Sequence, residues 1–292
     1  MAEASGLALL KPGERDPLVT TTYGTGELIR HALEKGCSKI ILGIGGSATV
    51  DGGVGMAQAL GVRFRDERGQ EIGPGGGSLD RIVQIDRSQS DPRIGSCSIL
   101  AACDVTNRLT GPQGAANVYG PQKGATPAMV KFLEQNLEHL AQVIKDSLGK
   151  QVGALQGGGA AGGMGAGIVA FLDGELRPGF SLISQAVKLE EWIQWADLVI
   201  TGEGKMDAQT AFGKTPAGIA GLSNRQGKPV IAFTGSLVDG PDKLPDTGFA
   251  AVIPIADRPM TLEQSLSDAG RLLENAGERV ARLVKLGGSL VP

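Results

Sequence analysis

Apolar and polar positions recur at helical spacing over residues 126–149, the longest patterned segment of the chain. Met129, Phe132, Leu133 and Leu137 begin an apolar series with steps of three and four residues, and the charged residues fall on the other face. This spacing predicts an amphipathic helix, because residues three and four apart share one face of a helix. We therefore expect the apolar face to pack against a hydrophobic core.

Short apolar runs without helical spacing predict buried strands at residues 39–44 and 97–107. In the second half, a strand at residues 197–204 is followed by a loop, a helix that Pro216 opens, and a further strand at residues 228–235. Strand, helix and strand in this order predict a parallel sheet in an α/β fold. Ligands of such sheets bind at the carboxyl ends of the strands, so the loops that leave these ends are candidates for chemistry.

Composition narrows the classes of function. The chain has 292 residues, 41% of them hydrophobic, which is enough for two domains with sizeable cores. A net charge of −3 and an aromatic content of 4% do not fit nucleic-acid binding, so we expect no nucleic-acid partner. The sequence has no apolar stretch long enough to span a membrane, and its three cysteines lack a C-x-x-C spacing. We therefore expect a cytoplasmic protein without a membrane span, a disulfide framework or a zinc site.

Glycine is the compositional outlier, with 46 residues, or about twice the usual share of roughly 7%. The glycines are clustered at residues 43–55, 73–77, 157–167, 202–204 and 213–218. Two interpretations are open: the clusters form several tight turns, or they form several backbone surfaces that meet one ligand.

The first cluster matches a known pattern only in part. GIGGSA at Gly43–Ala48 fits the G-x-G-x-x-G/A pattern of dinucleotide-binding turns, and Asp66 ends the next strand, where a ribose-binding acid is expected. The loop continues to Gly53, however, and two adjacent glycines cost a helix roughly 2 kcal/mol relative to alanines. A long loop that ends in Asp51 is better suited to bind an anion through backbone N–H groups while a carboxylate approaches a metal or a hydroxyl proton.

A second glycine motif follows a predicted strand. AQTAFGKTP at residues 208–216 resembles a P-loop that lacks its first glycine. Glu203, Asp207 and Lys214 would converge at the carboxyl end of the preceding strand. Two acids and a lysine beside a glycine loop suit a nucleotide phosphate with Mg²⁺, because magnesium binds carboxylate oxygens and lysine neutralises phosphate charge.

Seven motifs taken together resemble those of one enzyme family. In chain order they are MAEASGL, RDPLVTTTYGTGELI, GIGGSATVDGGVGMAQALG, ACDVTN, VYGPQKGA, GGGAAGGMGAG and VITGEGKMDAQTAFGKTPAGIA. With them the chain resembles the bacterial glycerate kinases of the first type, from Met1 to about Gly288. The resemblance implies two α/β domains, one of them Rossmann-like, and transfer of the γ-phosphoryl group of ATP to a hydroxyl of D-glycerate. Bacterial members of the family typically form 2-phosphoglycerate.

The resemblance also implies a division of the chain. Residues 1–175 are expected to form a mixed α/β domain with the glycine-rich ligand loops. Residues 176–292 are expected to form the C-terminal part of a Rossmann-like domain with a largely parallel sheet. Family members carry several dozen residues before the position of Met1, including an Asp-Ser-Phe/Tyr-Lys motif and an ADGGEGT motif. We therefore expect this chain to lack the family's N-terminal segment, so that the Rossmann-like sheet is incomplete at its N-terminal part.

The motifs predict an in-line phosphoryl transfer, in which positioning and neutralisation of charge supply most of the rate. Asp51 or Asp104 is predicted to orient the attacking hydroxyl. Lys123, next to a glycine in GPQKGA, is predicted to bind a phosphate or a carboxylate. The predicted cradle for phosphate or for the glycerate carboxylate consists of Gly45, Gly46, Ser47 and Thr49.

The second half of the chain is expected to serve the nucleotide. Glu203 and Asp207 are predicted to hold Mg²⁺ and Lys214 to face the nucleotide, so ATP and Mg²⁺ are the expected cofactors. D-Glycerate is the expected partner, and a homodimer is the expected assembly. Two alternatives to the active kinase stay open. One is a truncated, inactive kinase remnant, and the other is an NAD(P)-dependent oxidoreductase that uses Gly43–Ala48.

Overall fold

The patterned segments of the sequence form helices and strands in a computed structural model, which describes residues 1–206, 215–237 and 248–290. The architecture is mixed α/β with parallel sheets, as predicted. None of the helices in these ranges combines the length and the hydropathy that crossing a membrane requires.

The chain divides into two compact units, Met1–Leu182 (unit 1) and Ile183–Pro292 (unit 2). The domain limits expected from the resemblance, 1–175 and 176–292, stay a prediction, since a compact unit is not by itself a domain that folds alone.

Unit 1 contains two groups of strands. Its strands are β1 (Lys39–Gly43), β2 (Arg63–Arg65), β3 (Gln84–Asp86), β4 (Ser98–Ala102) and β5 (Glu175–Arg177). Its helices are α1 (Ala2–Ser5), α2 (Tyr23–Glu34), α3 (Val54–Ala59), α4 (Ala115–Tyr119), α5 (Pro127–Leu148) and α6 (Ala160–Leu172), and α7 (Gly179–Ala186) begins in it. A parallel sheet has the order β1-β4-β5, and β2 pairs with β3 in antiparallel fashion. Because Gly43 pairs with Ala102, the loops after β1 and β4 leave the same edge of the sheet.

Helix α5 confirms the longest predicted helix. The hydroxyl of Thr126 caps its first turn by accepting a hydrogen bond from the N–H of Met129 at 3.3 Å. Leu133 and Leu137 of the apolar series are fully buried in the core of unit 1. Phe132 is 38% exposed, because it lies one position, or about 100° around the helix, from Leu133. The buried face is therefore narrower than the apolar series indicated.

Two of the glycine clusters pack directly against each other. Gly162 and Gly163 have left-handed backbone conformations, with φ values of +73° and +92°, so the regular part of α6 starts only after them. An added Cβ at Gly162 would lie 1.9 Å from the carbonyl oxygen of Thr49, and the N–H of Gly52 donates to the carbonyl oxygen of Gly162 at 3.1 Å. These glycines allow close contact between two segments of backbone, a role that is neither a turn alone nor a ligand surface.

Unit 2 contains the predicted strand, helix and strand. Its strands are β6 (Val199–Met206), β7 (Val230–Leu237) and β8 (Ala251–Pro254), and its helices include α8 (Leu189–Trp195), α9 (Thr215–Arg225), α10 (Leu262–Ser267) and α11 (Ala269–Leu290). The sheet is parallel, with the order β6-β7-β8. Pro216 lies in the first turn of α9, as predicted. Phe233, Ile255, Leu272 and Ala276 belong to a small core of this unit.

Candidate functional site

Hydrogen bonds to the N-terminal residues Ser5 and Leu7 hold the glycine-rich loop after β1 in place. The N–H of Ala48 donates to the carbonyl oxygen of Ser5 at 2.9 Å, and the N–H of Leu7 donates to the carbonyl oxygen of Gly46 at 2.8 Å. Gly45 and Gly46 are exposed, and their N–H groups donate to no other residue of the described part of the chain. A loop with fixed flanks and available N–H groups is suited to bind an anion.

Lys123 brings an amino group to this loop. It ends a short 3₁₀ turn before α5 and is only 1% exposed. Its Nζ donates to the Oγ of Ser47 and to the carbonyl oxygen of Thr49, both at 2.7 Å. Burial lowers the pKa of Lys123 to about 7, and the charge of Asp51 opposes this shift only in part. The amino group therefore rests on neutral acceptors, and an anionic ligand would stabilise its charged form.

A cavity of about 510 Å³ in unit 1 is lined by the loop and by Lys123. The predicted site residues that line it are Gly45, Gly46, Ser47, Asp104 and Lys123. Asp104 follows β4, and its Oδ1 accepts a hydrogen bond from the N–H of Gly179 at 2.7 Å. The structure thus brings together groups from three separate motifs, because β1 and β4 end at one edge of the sheet.

Tyr119 also lines the cavity and was not predicted. Its hydroxyl donates to the Oδ1 of Asn107 at 2.8 Å, and the Nδ2 of Asn107 donates to the carbonyl oxygen of Gln113 at 2.8 Å. Burial raises the pKa of Tyr119, so the hydroxyl stays protonated. The available signal was its position in VYGPQKGA, four residues before Lys123, together with the asparagine of ACDVTN.

Thr49 and Asp51 are not among the residues that line this cavity. Both are buried, and the carbonyl oxygen of Thr49 serves Lys123. The Oδ2 of Asp51 accepts hydrogen bonds from the N–H of Thr22 at 2.7 Å and from its hydroxyl at 2.8 Å, and the N–H groups of Gly53 and Gly55 also donate to the carboxylate. Burial raises the pKa of Asp51, and these hydrogen bonds oppose the shift. Asp51 thus links the loop to the start of α2, and its role toward the attacking hydroxyl stays a prediction.

The dinucleotide pattern lacks the structural context that an oxidoreductase needs. No helix begins within Gly43–Ala48, since α3 starts only at Val54. β2, which precedes Asp66, pairs with β3 instead of joining the parallel sheet of β1. The Oδ1 of Asp66 accepts hydrogen bonds from the N–H groups of Arg68 and Gln70, both at 2.9 Å, so it holds its own turn. These observations do not favour the NAD(P) alternative.

The candidates of the second half are described only in part. Glu203 is the fifth of the eight residues of β6 and lines a second cavity, of about 950 Å³, within unit 2. Asp207 and Lys214 lie outside the described residues. Within the ranges that the structure describes, no group of three or more His, Cys, Asp or Glu side chains could hold a metal ion. The predicted Mg²⁺ ligands therefore stay a prediction.

The fold is that of an α/β protein, and its first cavity lies at the carboxyl edge of a parallel sheet, where a glycine loop, a buried lysine and a carboxylate form a lining suited to a small anion. The comparison with protein families identifies the family of this α/β protein, because the glycerate kinase family matches residues 1–285. The chain belongs to the glycerate kinase family and is thus a member of a family of kinases.

Individual relatives agree with the family. The chain is 50% identical to the glycerate kinase of Halalkalibacterium halodurans, over 96% of this chain and 74% of the relative. It is 48% identical to the glycerate 2-kinase of Escherichia coli K12, over 98% of this chain and 75% of the relative. A crystal structure of a protein assigned as glycerate kinase 2 from Salmonella typhimurium LT2 matches with a TM-score of 0.87 at 47% identity, over 99% of this chain and 75% of that one. The chain thus spans about three quarters of the length of these proteins.

Proposed function

We propose that this chain phosphorylates D-glycerate with ATP and Mg²⁺ and forms 2-phosphoglycerate. The names of the relatives support glycerate as the substrate. The observation that carries the proposal is the amino group of Lys123, which is buried beside available glycine N–H groups in a cavity that also contains the carboxylate of Asp104. We also propose that the enzyme acts in the cytoplasm and as a homodimer.

Lys123 and the loop bind the carboxylate of D-glycerate. The amino group of Lys123 and the N–H groups of Gly45 and Gly46 donate to the carboxylate oxygens, and the hydrogen bonds from a charged amino group to a carboxylate are stronger than those between neutral groups. The hydroxyl of Ser47 already accepts from Lys123 Nζ and can donate its own proton to the same carboxylate. The bound carboxylate raises the pKa of Lys123 and keeps the amino group charged.

Asp104 faces the substrate hydroxyl. The N–H of Gly179 fixes one carboxylate oxygen, and the other is available to accept a hydrogen bond from the hydroxyl. Asp104 orients an oxygen lone pair for in-line attack on the γ-phosphorus of ATP and takes the proton as the new O–P bond forms, while the bond from the γ-phosphorus to the β,γ-bridging oxygen breaks and ADP leaves. Mg²⁺, when bound, neutralises charge on the phosphates. We propose Glu203 and Asp207 as its ligands and Lys214 as the residue that binds the nucleotide.

The test is turnover of ATP by the purified chain with D-glycerate and Mg²⁺, measured as ADP release, with the product identified by phosphorus NMR. We expect Lys123→Met to raise the KM for D-glycerate at least tenfold and Asp104→Asn to lower kcat by roughly 10²–10⁴. Lys131→Met is the matched control, because Lys131 is an exposed lysine of α5. An absence of ATP turnover with D-glycerate would refute the proposal and favour the inactive remnant. A 3-phosphate product would refute the proposed position of transfer.

A further inference from the structure

The loop that carries Asp104 follows β4 and has no regular secondary structure over residues 103–108, here called the Asp104 loop. Asp104 itself is exposed, so packing does not enclose its side chain. The N–H of Gly179 binds one oxygen of its carboxylate. At the other end of the loop, the carbonyl oxygen of Asn107 accepts a hydrogen bond from the N–H of Gly159 at 2.9 Å. The position of Asp104 in the cavity therefore depends on a few hydrogen bonds to its loop.

The side chain of Asn107 joins this loop to two further segments of the chain. Its Nδ2 donates to the carbonyl oxygen of Gln113 at 2.8 Å, and its Oδ1 accepts from the hydroxyl of Tyr119 at 2.8 Å. A carbonyl oxygen can only accept, so the amide nitrogen of Asn107 must face Gln113 and the amide oxygen must face Tyr119. The hydroxyl of Tyr119 is therefore the donor, and its only proton is committed to the Asp104 loop.

The segment of residues 119–123 reaches two sides of the same cavity. Tyr119 ends α4, and Lys123 follows four positions later at the end of a 3₁₀ turn. Both residues line the cavity. The amino group of Lys123 donates to the glycine-rich loop, whereas the hydroxyl of Tyr119 donates to Asn107. One short segment therefore connects the amino group at the glycine-rich loop with the Asp104 loop.

We propose that Tyr119 is a positioning residue, which acts through Asn107 to hold Asp104 at the substrate hydroxyl. This inference rests on the proposed function, in which Lys123 binds the carboxylate of D-glycerate and Asp104 accepts the hydroxyl proton. Both groups belong to one short substrate, so their partners in the protein need a fixed separation. Displacement of a catalytic group by about 1 Å can cost roughly 10²-fold in rate. Tyr119 therefore contributes to kcat, while the affinity for D-glycerate depends on Lys123 and the glycine-rich loop.

Two variants break the hydrogen bond between Tyr119 and Asn107 from opposite sides. Tyr119→Phe keeps the aromatic ring and removes the hydroxyl. Asn107→Leu keeps a side chain of similar size and removes the hydrogen bonds to both Tyr119 and Gln113 without adding charge. The double variant tests whether the two residues act together, because residues of one hydrogen-bond network have non-additive effects. Tyr23→Phe is the matched control, since Tyr23 is the other tyrosine of the chain, is 41% exposed and does not line this cavity.

The first readout is the steady-state rate at which the full chain phosphorylates D-glycerate. We expect Tyr119→Phe and Asn107→Leu each to lower kcat at least tenfold and to change the KM for D-glycerate less than twofold. The double variant should be less than about threefold slower than Asn107→Leu, whereas independent effects would multiply to about 10²-fold. Tyr23→Phe should follow the wild type. A residue that contributed only to stability would leave the kcat of the folded chain unchanged.

The second readout does not require activity. Cys103 is a half-buried thiol of the Asp104 loop, and its Sγ lies 3.3 Å from the carbonyl oxygen of Val105 and 3.8 Å from that of Gly157. Release of the loop exposes this thiol, so we expect iodoacetamide to label it at least fivefold faster in both variants. The exposed Cys37 gives a reference rate in the same chain, and peptide mass spectrometry separates the two labelled sites.

The outcomes separate this inference from the proposed function. If D-glycerate is phosphorylated and Tyr119→Phe keeps the kcat of the wild type, the proposed function stands and the inference fails. A tenfold rise in KM at unchanged kcat also overturns the inference, because it shows that Tyr119 contacts the substrate. If the wild type does not phosphorylate D-glycerate but Cys103 is labelled faster in both variants, the support of the Asp104 loop by Tyr119 stands and the proposed function fails. Unchanged labelling of Cys103 in both variants overturns the inference in either case.

Discussion

Replacing Lys123 by methionine removes the electrostatic cost of burying an amino group. The pKa of Lys123 is about 7 in the folded chain, and unfolding returns it to its ordinary value of 10.5. Each pH unit between the two pKa values corresponds to about 1.4 kcal/mol. Burial of the charged form therefore lowers the free energy of unfolding by roughly 5 kcal/mol at pH values below 7, and methionine removes this cost.

The sign of the pH dependence follows from proton binding. Below pH 7 the amino group of Lys123 is protonated in both states, and the full cost is present. Above pH 7 the folded chain releases the proton, whereas the unfolded chain keeps it up to about pH 10.5. The wild type therefore gains stability relative to Lys123→Met as the pH rises, by about 2 kcal/mol between pH 7 and pH 9.

Urea unfolding at pH 6, 7, 8 and 9, without D-glycerate, measures this difference. Far-ultraviolet circular dichroism is the suitable probe, because both tryptophans, Trp192 and Trp195, lie in unit 2. Methionine also leaves the Oγ of Ser47 and the carbonyl oxygen of Thr49 without their donor. This loss changes the free energy of unfolding by the same amount at every pH, so the test depends on how the free energy of unfolding changes with pH. Lys131→Met should follow the wild type. If the free energy of unfolding changes with pH in the same way in the wild type and in Lys123→Met, the reasoning is refuted.

Three further predictions concern the loop and its supports. Binding of D-glycerate should take up close to one proton at pH 8 and almost none at pH 6, because the bound carboxylate restores the charge of Lys123. Calorimetry in buffers of different ionisation enthalpy measures this proton uptake. No uptake at pH 8 would contradict carboxylate binding at Lys123. Asp51→Asn should lower the free energy of unfolding by about 2–4 kcal/mol at pH 7, because asparagine has one acceptor oxygen where aspartate has two, and the amide nitrogen cannot accept from the donors on the other side, Thr22 and Gly55 or Gly53. Unchanged urea stability would show that these hydrogen bonds are dispensable. Gly162→Ala should lower the free energy of unfolding by more than about 2 kcal/mol. Gly153→Ala, whose added Cβ would lie 3.7 Å from its nearest neighbour, should change the free energy of unfolding by no more than about 0.5 kcal/mol. Equal thermal midpoints of the two variants would refute the close packing at Gly162.

Helix α5 and the parallel sheet of unit 2 were predictable, because they depend on local hydrophobic pattern and on the order of strands and helices along the chain. The apolar series predicted α5, and the order of strand, helix and strand predicted the parallel pairing of β6 with β7. The position of Asp104 beside the glycine loop follows from the parallel pairing of β1 with β4, which the sequence pattern did not predict. The helices after β8 were not predicted, although Leu272, Ala276 and Val280 recur at helical spacing and are buried in the core of unit 2, because α10 and α11 also carry exposed apolar residues that obscure this pattern.

The hydrogen bonds that Asp51 and Lys123 make at the glycine-rich loop could not be predicted from local sequence pattern. Asp51 has the sequence context of a catalytic acid, yet its main partner is Thr22, 29 residues earlier in the chain. Nothing near Asp51 in sequence indicates that partner. Lys123 was recognised from its motif, but its burial and its lowered pKa depend on acceptors 76 and 74 residues away. Long-range contacts of this kind are set by tertiary packing, which periodicity does not encode.

The contact between Gly52 and Gly162 also has a consequence for how the chain folds. The two residues are separated by 110 positions, so their hydrogen bond closes a long loop of chain. Closing such a loop costs entropy before any contact compensates for it, and contacts at large sequence separation slow folding. We therefore expect the glycine-rich loop to reach its shape late, after α6 has docked. A slow refolding chain would acquire its secondary structure first and its affinity for anions last.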